Sequence, residues 1–418
     1  MQNKKTGANI IVGLHVLWPG LFWLVTRSVE PVEKLRIRDL KARKQLILLD
    51  AKELNYLLLG FFDRHVMHEA TKRGEALRMN NDKLRSVAKA IVAKQKGVLA
   101  ADESNPTIKK RFDSIKVEST EENRRRYREI LFTTEGIERY IGGVILFDET
   151  LRQGTRDGTP FAELLSRRGI VPGIKVDKGA KALALYPGDK IAEGLDGLRE
   201  RLVEYKQMGA KFAKWRAVIE INERDVPSAF GIRANAHVLA RYAALCQELD
   251  IVPIVEPEVL MDGAHDTERC EVVTSRVLEA VFTELDAHRV LFEGMLLKPN
   301  MVIAGMKCAH QENVQWVAEA TVRCLTRYVP AAVPGIVFLS GGQSAEDATD
   351  HLNAINMMGP HPWQVSFSYG RALQAPVLAT WKGQEANMAA AQKTFLKRCR
   401  LNGLARDGKY ARAMETAG

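Results

Sequence analysis

Lys298 is the residue from which a chemical reading of this sequence starts. It follows Met295-Leu296-Leu297 and precedes Pro299, so its ammonium emerges from an apolar run. Desolvation and nearby cations both favour the neutral form of a lysine, and a neutral amine attacks a carbonyl to form a Schiff base. The competing reading is a lysine that pairs with Glu256 or Glu258 for stability alone. Glu256, between Val255 and Pro257, suits proton relay during carbinolamine formation and dehydration. Asp102, at the end of the first strand-like run in GVLAADES, suits a base acting on a substrate hydroxyl. Ser340-Gly341-Gly342 and Gly370-Arg371 combine backbone N–H groups, close approach and a cation, which fits a phosphate. The nine histidines are scattered, with no HxxxH or HExxH pair in the body, so the expectation is a lysine-centred site with no metal and no cofactor.

Residues so far apart in sequence need a scaffold that gathers them. Short β-branched or apolar runs recur at 97–104, 142–150, 171–179, 210–221, 251–259, 293–302, 335–343 and 363–371, each followed by a longer amphipathic stretch. Eight strands alternating with helices predict the α/β class and a (β/α)8 TIM barrel, whose active sites lie at the strands' C-terminal ends. A doubly wound open sheet is the alternative, but no GxGxxG turn follows the first strand. One residue from each run gives Asp102, Glu149, Lys175, Lys214, Glu256, Lys298, Ser340 and Arg371. A single one of these could be a solvated loop charge. Eight at equivalent positions form a cationic constellation with three carboxylates.

The chain has 418 residues, 46% hydrophobic and 27% charged, which excludes collagenous and wholly disordered classes. Its net charge of +10 divides unevenly: residues 1–78 carry 14 Lys/Arg against 8 Asp/Glu, the remainder 47 against 43. The body therefore suits small phosphorylated anions better than nucleic acid. Five widely spaced cysteines without a CxxC point to a reducing, cytoplasmic setting. Residues 8–25 are apolar and follow Lys4 and Lys5, reading as a signal-peptide core or a marginal membrane anchor, and membrane contact is expected only if they anchor. His65 and His68 have helical spacing but no third ligand nearby. From Met79 the texture changes. Asn81 and Asp82 are candidate helix caps, Leu84, Val87, Ala88, Ile91 and Val92 recur at helical spacing, and Gly97 closes the segment. The expected division is an N-terminal extension, 1–78, with a misplaced start preferred to a working anchor, and a single catalytic domain, 79–418.

With these residues in view, the body resembles the class I (Schiff-base) fructose-bisphosphate aldolases from Met79 to about Tyr410. The resemblance rests on LAADES (99–104), GIKVDKG (173–179), FAKWR (212–216), IVPIVEPE (251–258), LLKPNM (296–301), FLSGGQS (338–344) and FSYGRALQ (367–374). It implies that Lys298 is the Schiff-base lysine, Glu256 the glutamate of the imine steps, and Asp102 the base at carbon–carbon cleavage. Lys214 would stabilise developing charge, and Glu258 joins this catalytic set. Ser340, Gly341, Gly342, Gly370 and Arg371 would hold the ketone-side phosphate, and Ser104, Thr107, Arg111 and Lys175 the other, with Arg216 also binding substrate. The implied reaction is metal-free, reversible cleavage of fructose 1,6-bisphosphate into two triose phosphates, by a homotetramer.

Three departures from the family pattern stand out. Asn105-Pro106-Thr107 replaces the Thr-Gly-Ser of animal members, and Pro106 removes one N–H donor. The chain ends RAMETAG, with Tyr410 its last tyrosine, where animal members carry a terminal tyrosine that assists proton exchange. The extension itself has no counterpart. Two other readings remain open at this stage: a Schiff-base lyase or transaldolase for another sugar phosphate, and a catalytically silent barrel used as a scaffold.

Overall fold

The computed structural model describes residues 81–222 and 226–416. The apolar stretch 8–25, His65, His68 and the boundary at 78/79 lie outside them. Eight parallel strands close into a barrel, each paired with the next and the last with the first. They are β1 (Gly97–Ala101), β2 (Ile141–Leu146), β3 (Val171–Lys175), β4 (Phe212–Ile219), β5 (Val252–Val259), β6 (Leu296–Leu297), β7 (Gly335–Phe338) and β8 (Gln364–Tyr369). Seven fall within the apolar runs that predict them, and β2 begins one residue before its run. Only β6 is very short, because Pro299 ends regular pairing, although Lys298 N–H still donates to Val255 O at 2.8 Å.

Side chains alternate across each strand, so every second residue faces the barrel interior. Val98, Ala100, Ile145, Phe212, Val252, Ile254, Leu296 and Val337 form one buried apolar cluster there. Gly173 of β3 makes room for it: a Cβ there would lie 2.3 Å from the Phe212 ring. Leu84, Ala88 and Ile91 join the same cluster from the helix at 81–91, and Val92 joins it from the turn that follows. That helix differs from the sequence expectation at both ends. Asn81 and Asp82 are already helical rather than capping it, and the helix stops at 91, so Gly97 opens β1 instead of closing the helix. Arg406 holds the end in place by donating to the carbonyls of Val92, Ala93 and Lys96.

The outer faces of the strands pack beneath the helices. Several helices that follow strands begin at a side-chain cap: Ser228, Asp266, Asn313 and Ser344 each accept the N–H three residues on. These caps fix where each strand-to-helix loop ends. An antiparallel hairpin, Ala180–Ala182 with Lys190–Ala192, stands between β3 and β4. Its short strands, flanked by Gly179 and Gly194, had no separate signal in the sequence. Among the described residues, no helix is long and apolar enough to cross a membrane.

Candidate active site

The interior alternation that gives the apolar cluster continues into charge at the strands' C-terminal ends. Lys214 is two residues beyond Phe212, Glu256 two beyond Ile254, Lys298 two beyond Leu296, and Asp102 two beyond Ala100. Each therefore points into the barrel above an apolar layer. The four side chains meet. Lys214 Nζ lies 2.7 Å from Asp102 Oδ2 and 3.0 Å from Glu256 Oε2, and Lys298 Nζ lies 2.9 Å from Glu256 Oε1. Glu256 thus sits between two ammonium groups, and the Lys214, Glu256 and Lys298 side chains are each at most 5% exposed.

Burial opposes ionisation of Asp102, but Lys214, Lys298 and Lys175 outweigh it and hold the carboxyl well below the usual carboxylate range. Glu256 follows the same pattern, with burial overcome by Lys214, Lys298 and Arg216. Burial disfavours the Lys214 cation, yet Asp102, Glu256 and Asp177 raise its pKa well above that of a free lysine. The site therefore holds two carboxylates and a fixed cation. Glu256 Oε2 is buried with no aligned hydrogen-bond donor despite its ion pair to Lys214. One lone pair of this carboxylate remains available to a reacting proton.

Other sequence candidates surround this centre. Glu258 is buried and paired with the half-exposed Arg216. Ser340 is buried at the end of β7, followed by Gly341 and Gly342. Gly342 has φ +72°, and a Cβ there would meet Met261 Cγ at 2.0 Å, so only glycine fits the turn. Gly370 follows β8 at the cap of the next helix, and Arg371 opens that helix with its side chain exposed. Ser104 and Thr107 share a hydroxyl contact at 3.1 Å. Arg111, on the helix Asn105–Asp113, is paired with the buried Glu103. Ser104 and Lys175 line a cleft of roughly 520 Å³ beside the mouth.

One expectation needs revision. Glu149 does not join the central carboxylates: it lies in the helix Asp148–Leu151 and holds Arg124 through both oxygens, at 2.7 and 2.6 Å. Pro106 falls in the first turn of its helix, where N–H groups have no intrahelical partner, so it breaks no helical bond. Sequence reasoning also passed over two residues. Asp177 lies 3.4 Å from Lys175 and accepts the Arg216 backbone N–H at 3.2 Å. Asn300 accepts the Val259 N–H at 3.1 Å and donates to Thr274 Oγ1 at 3.2 Å, tying the segment after Lys298 to β5. Asp177, two residues after Lys175, was visible in the period; Asn300 was not, because its partners come from other elements.

A family model described as fructose-bisphosphate aldolase class-I matches residues 83–418. The chain belongs to the class-I fructose-bisphosphate aldolases. It is 55% identical over 333 residues to a probable fructose-bisphosphate aldolase class 1 of Xanthomonas axonopodis pv. citri, covering 79% of this chain and 99% of that one. It is 56% identical over 324 residues to fructose-bisphosphate aldolase 1 of Toxoplasma gondii, covering 77% and 89%. Among solved structures it resembles the Plasmodium falciparum aldolase in complex with TRAP and a small-molecule inhibitor, with a TM-score of 0.78 and 52% identity over 79% of this chain and 96% of that one. As an aldolase of this class it is a lyase, and its reaction is the reversible cleavage of fructose 1,6-bisphosphate through a lysine Schiff base.

Proposed function

We propose that Lys298 carries the Schiff base, Glu256 moves protons at its nitrogen, and Asp102 is the base at bond cleavage. The observation that supports this most is the Glu256 carboxylate bridging Lys298 and Lys214 with one oxygen lacking an aligned donor. Lys298 transfers its proton to Glu256 across 2.9 Å, and the freed amine attacks the substrate's ketone carbon. Glu256 returns a proton to the carbinolamine hydroxyl, which leaves as water and gives the iminium. Asp102 takes the proton of the hydroxyl across the scissile bond as that bond breaks. Its electron pair moves into the iminium, forming the enamine and releasing the aldehyde. Protonation of the enamine and hydrolysis of the resulting iminium return Lys298. Lys214 stays charged throughout, and its placement against both carboxylates suits it to stabilise developing negative charge.

Phosphate contacts are assigned to Ser340, Gly341, Gly342, Gly370 and Arg371 on the ketone side, and to Ser104, Thr107, Arg111 and Lys175 on the other. Arg216, oriented by Glu258, supplies a further cation. Turnover of fructose 1-phosphate against the bisphosphate tests the second set, with the bisphosphate expected to be favoured by about 10-fold or more. A ratio near one would remove strict bisphosphate specificity.

A homotetramer in the cytoplasm completes the reading. The apolar tip of the hairpin supports assembly: Leu185 is 97% exposed, and the exposed rings of Tyr186 and Phe230 stack at 4.6 Å. Light scattering is expected to give four times the 46.7 kDa chain mass, and a monomer would contradict the reading. Five unpaired cysteines, four of them buried, support a reducing compartment. Residues 1–78 are read as an extension to the 79–418 domain, so a chain beginning at Met79 is expected to be soluble and fully active. Insolubility of that truncation would place residues 1–78 in the fold.

A further inference from the structure

We propose that His237, Glu284 and His288 form a binding site for a borderline divalent cation of the Zn²⁺ type on the outer helix layer. His237 belongs to the helix Ala229–Glu248, Glu284 to the helix Thr267–Ala287, and His288 caps the latter at its C-terminal end. Residues four apart share a helix face, so Glu284 and His288 form a two-point chelate on one helix. His237 supplies the third ligand from the neighbouring helix.

The geometry converges on one carboxylate oxygen. Glu284 Oε2 lies 3.0 Å from His237 Nδ1 and 3.7 Å from His288 Nδ1. One ligand atom from each of the three residues lies within 4.8 Å of the other two. A tetrahedral ion with bonds near 2.0–2.1 Å separates neighbouring donors by about 3.3 Å, a value the two observed distances bracket. The imidazole rings meet edge to face, with centroids 5.0 Å apart. His288 Nδ1 also lies 2.8 Å from the carbonyl of Glu284, so it carries the ring proton in the absence of metal. Ligation through Nε2 keeps that bond as an orienting contact. Ligation through Nδ1 exchanges it for the metal and moves the proton to Nε2, with no change in net charge.

Two imidazoles and one carboxylate select Zn²⁺, Ni²⁺ or Cu²⁺ over Mg²⁺ and Ca²⁺, which prefer all-oxygen sites. Three protein ligands leave a coordination position for water. Because the helix Thr267–Ala287 returns the chain from the end of β5 to the start of β6, Glu284 and His288 lie toward the barrel end opposite Lys298. The ion therefore ties two helices together and takes no part in the lysine chemistry.

The test uses the full chain after EDTA treatment and removal of the chelator, titrated with Zn²⁺ and separately with Mg²⁺, while binding stoichiometry and thermal unfolding are followed. The expected result is one Zn²⁺ per chain with a micromolar dissociation constant and no saturable Mg²⁺ binding. At a hundredfold excess over that constant the unfolding midpoint should rise by roughly 4 °C. His237→Ala and His288→Ala should each weaken Zn²⁺ binding by at least about tenfold and remove the thermal shift, with fructose 1,6-bisphosphate turnover unchanged. Absence of saturable Zn²⁺ binding overturns the proposal. So does wild-type binding in both single variants, or loss of the site in a His65→Ala/His68→Ala chain instead.

Discussion

On the same inward faces of the same strands, Val98, Phe212, Val252 and Leu296 line one end of the barrel, whereas Asp102, Lys214, Glu256 and Lys298 line the other. The first end is closed by the helix at 81–91 and holds no titratable group in its apolar cluster. The second packs two carboxylates and two lysines with little exposure. Burial stabilises the first directly. At the second, burial opposes the ionised forms of Asp102, Lys214 and Glu256, and their charges persist because oppositely charged neighbours outweigh it. The barrel is thus divided along its axis into an end that favours folding and an end whose arrangement is explained by chemistry.

Substitutions at the two ends should separate these roles, beginning with the largest effect. Lys298→Arg places a guanidinium beside Glu256 and removes the proposed amine nucleophile, so kcat should fall by about 10⁴-fold or more with the fold retained. Steady-state turnover together with a melting curve checks both halves. Glu256→Gln removes the proposed proton relay and the carboxylate between the two lysines, and kcat should drop by roughly 10²–10⁴-fold. At the apolar end the expectation reverses. Ile91→Ala should cost about 2–5 kcal/mol of stability in denaturant unfolding, while turnover per folded molecule stays at the wild-type value. A large loss of kcat there would erase the division between the ends.

Smaller effects sharpen the contrast. Gly342→Ala places a methyl group against Met261 in a left-handed turn, and should raise KM more than it lowers kcat. The pH dependence of stability should come from the charged end. Asp102 and Glu256 have folded-state pKa values below their unfolded values near 4, so their contribution is full above that pH. It is lost progressively as pH falls below about 4. Urea midpoints across this range should decline less steeply in Asp102→Asn than in wild type, and a parallel decline would remove Asp102 from the account.

Period two made most of this legible from sequence. Each strand lies in a short apolar run followed by a charged or polar residue, so the eight strands and most of the residues at their mouths could be read without knowing what lies beside them. What could not be read depends on partners from elsewhere in the chain. Glu149 has the position of a mouth residue but is captured by Arg124. Arg111 looks like a free cation in sequence and is paired with Glu103. The hairpin before β4, with three residues in each strand, fell below any usable pattern length. His237 and the Glu284–His288 pair lie on separate helices, so a search for HxxxH passes over them.

Borohydride trapping bears most directly on the assignment of Lys298. The protein is incubated with fructose 1,6-bisphosphate in EDTA and reduced, and the modified peptide is mapped by mass. The account predicts a reduced triose-phosphate adduct on Lys298, with cleavage activity undiminished by the chelator. An adduct on another lysine, or EDTA-sensitive cleavage with no adduct, would contradict it.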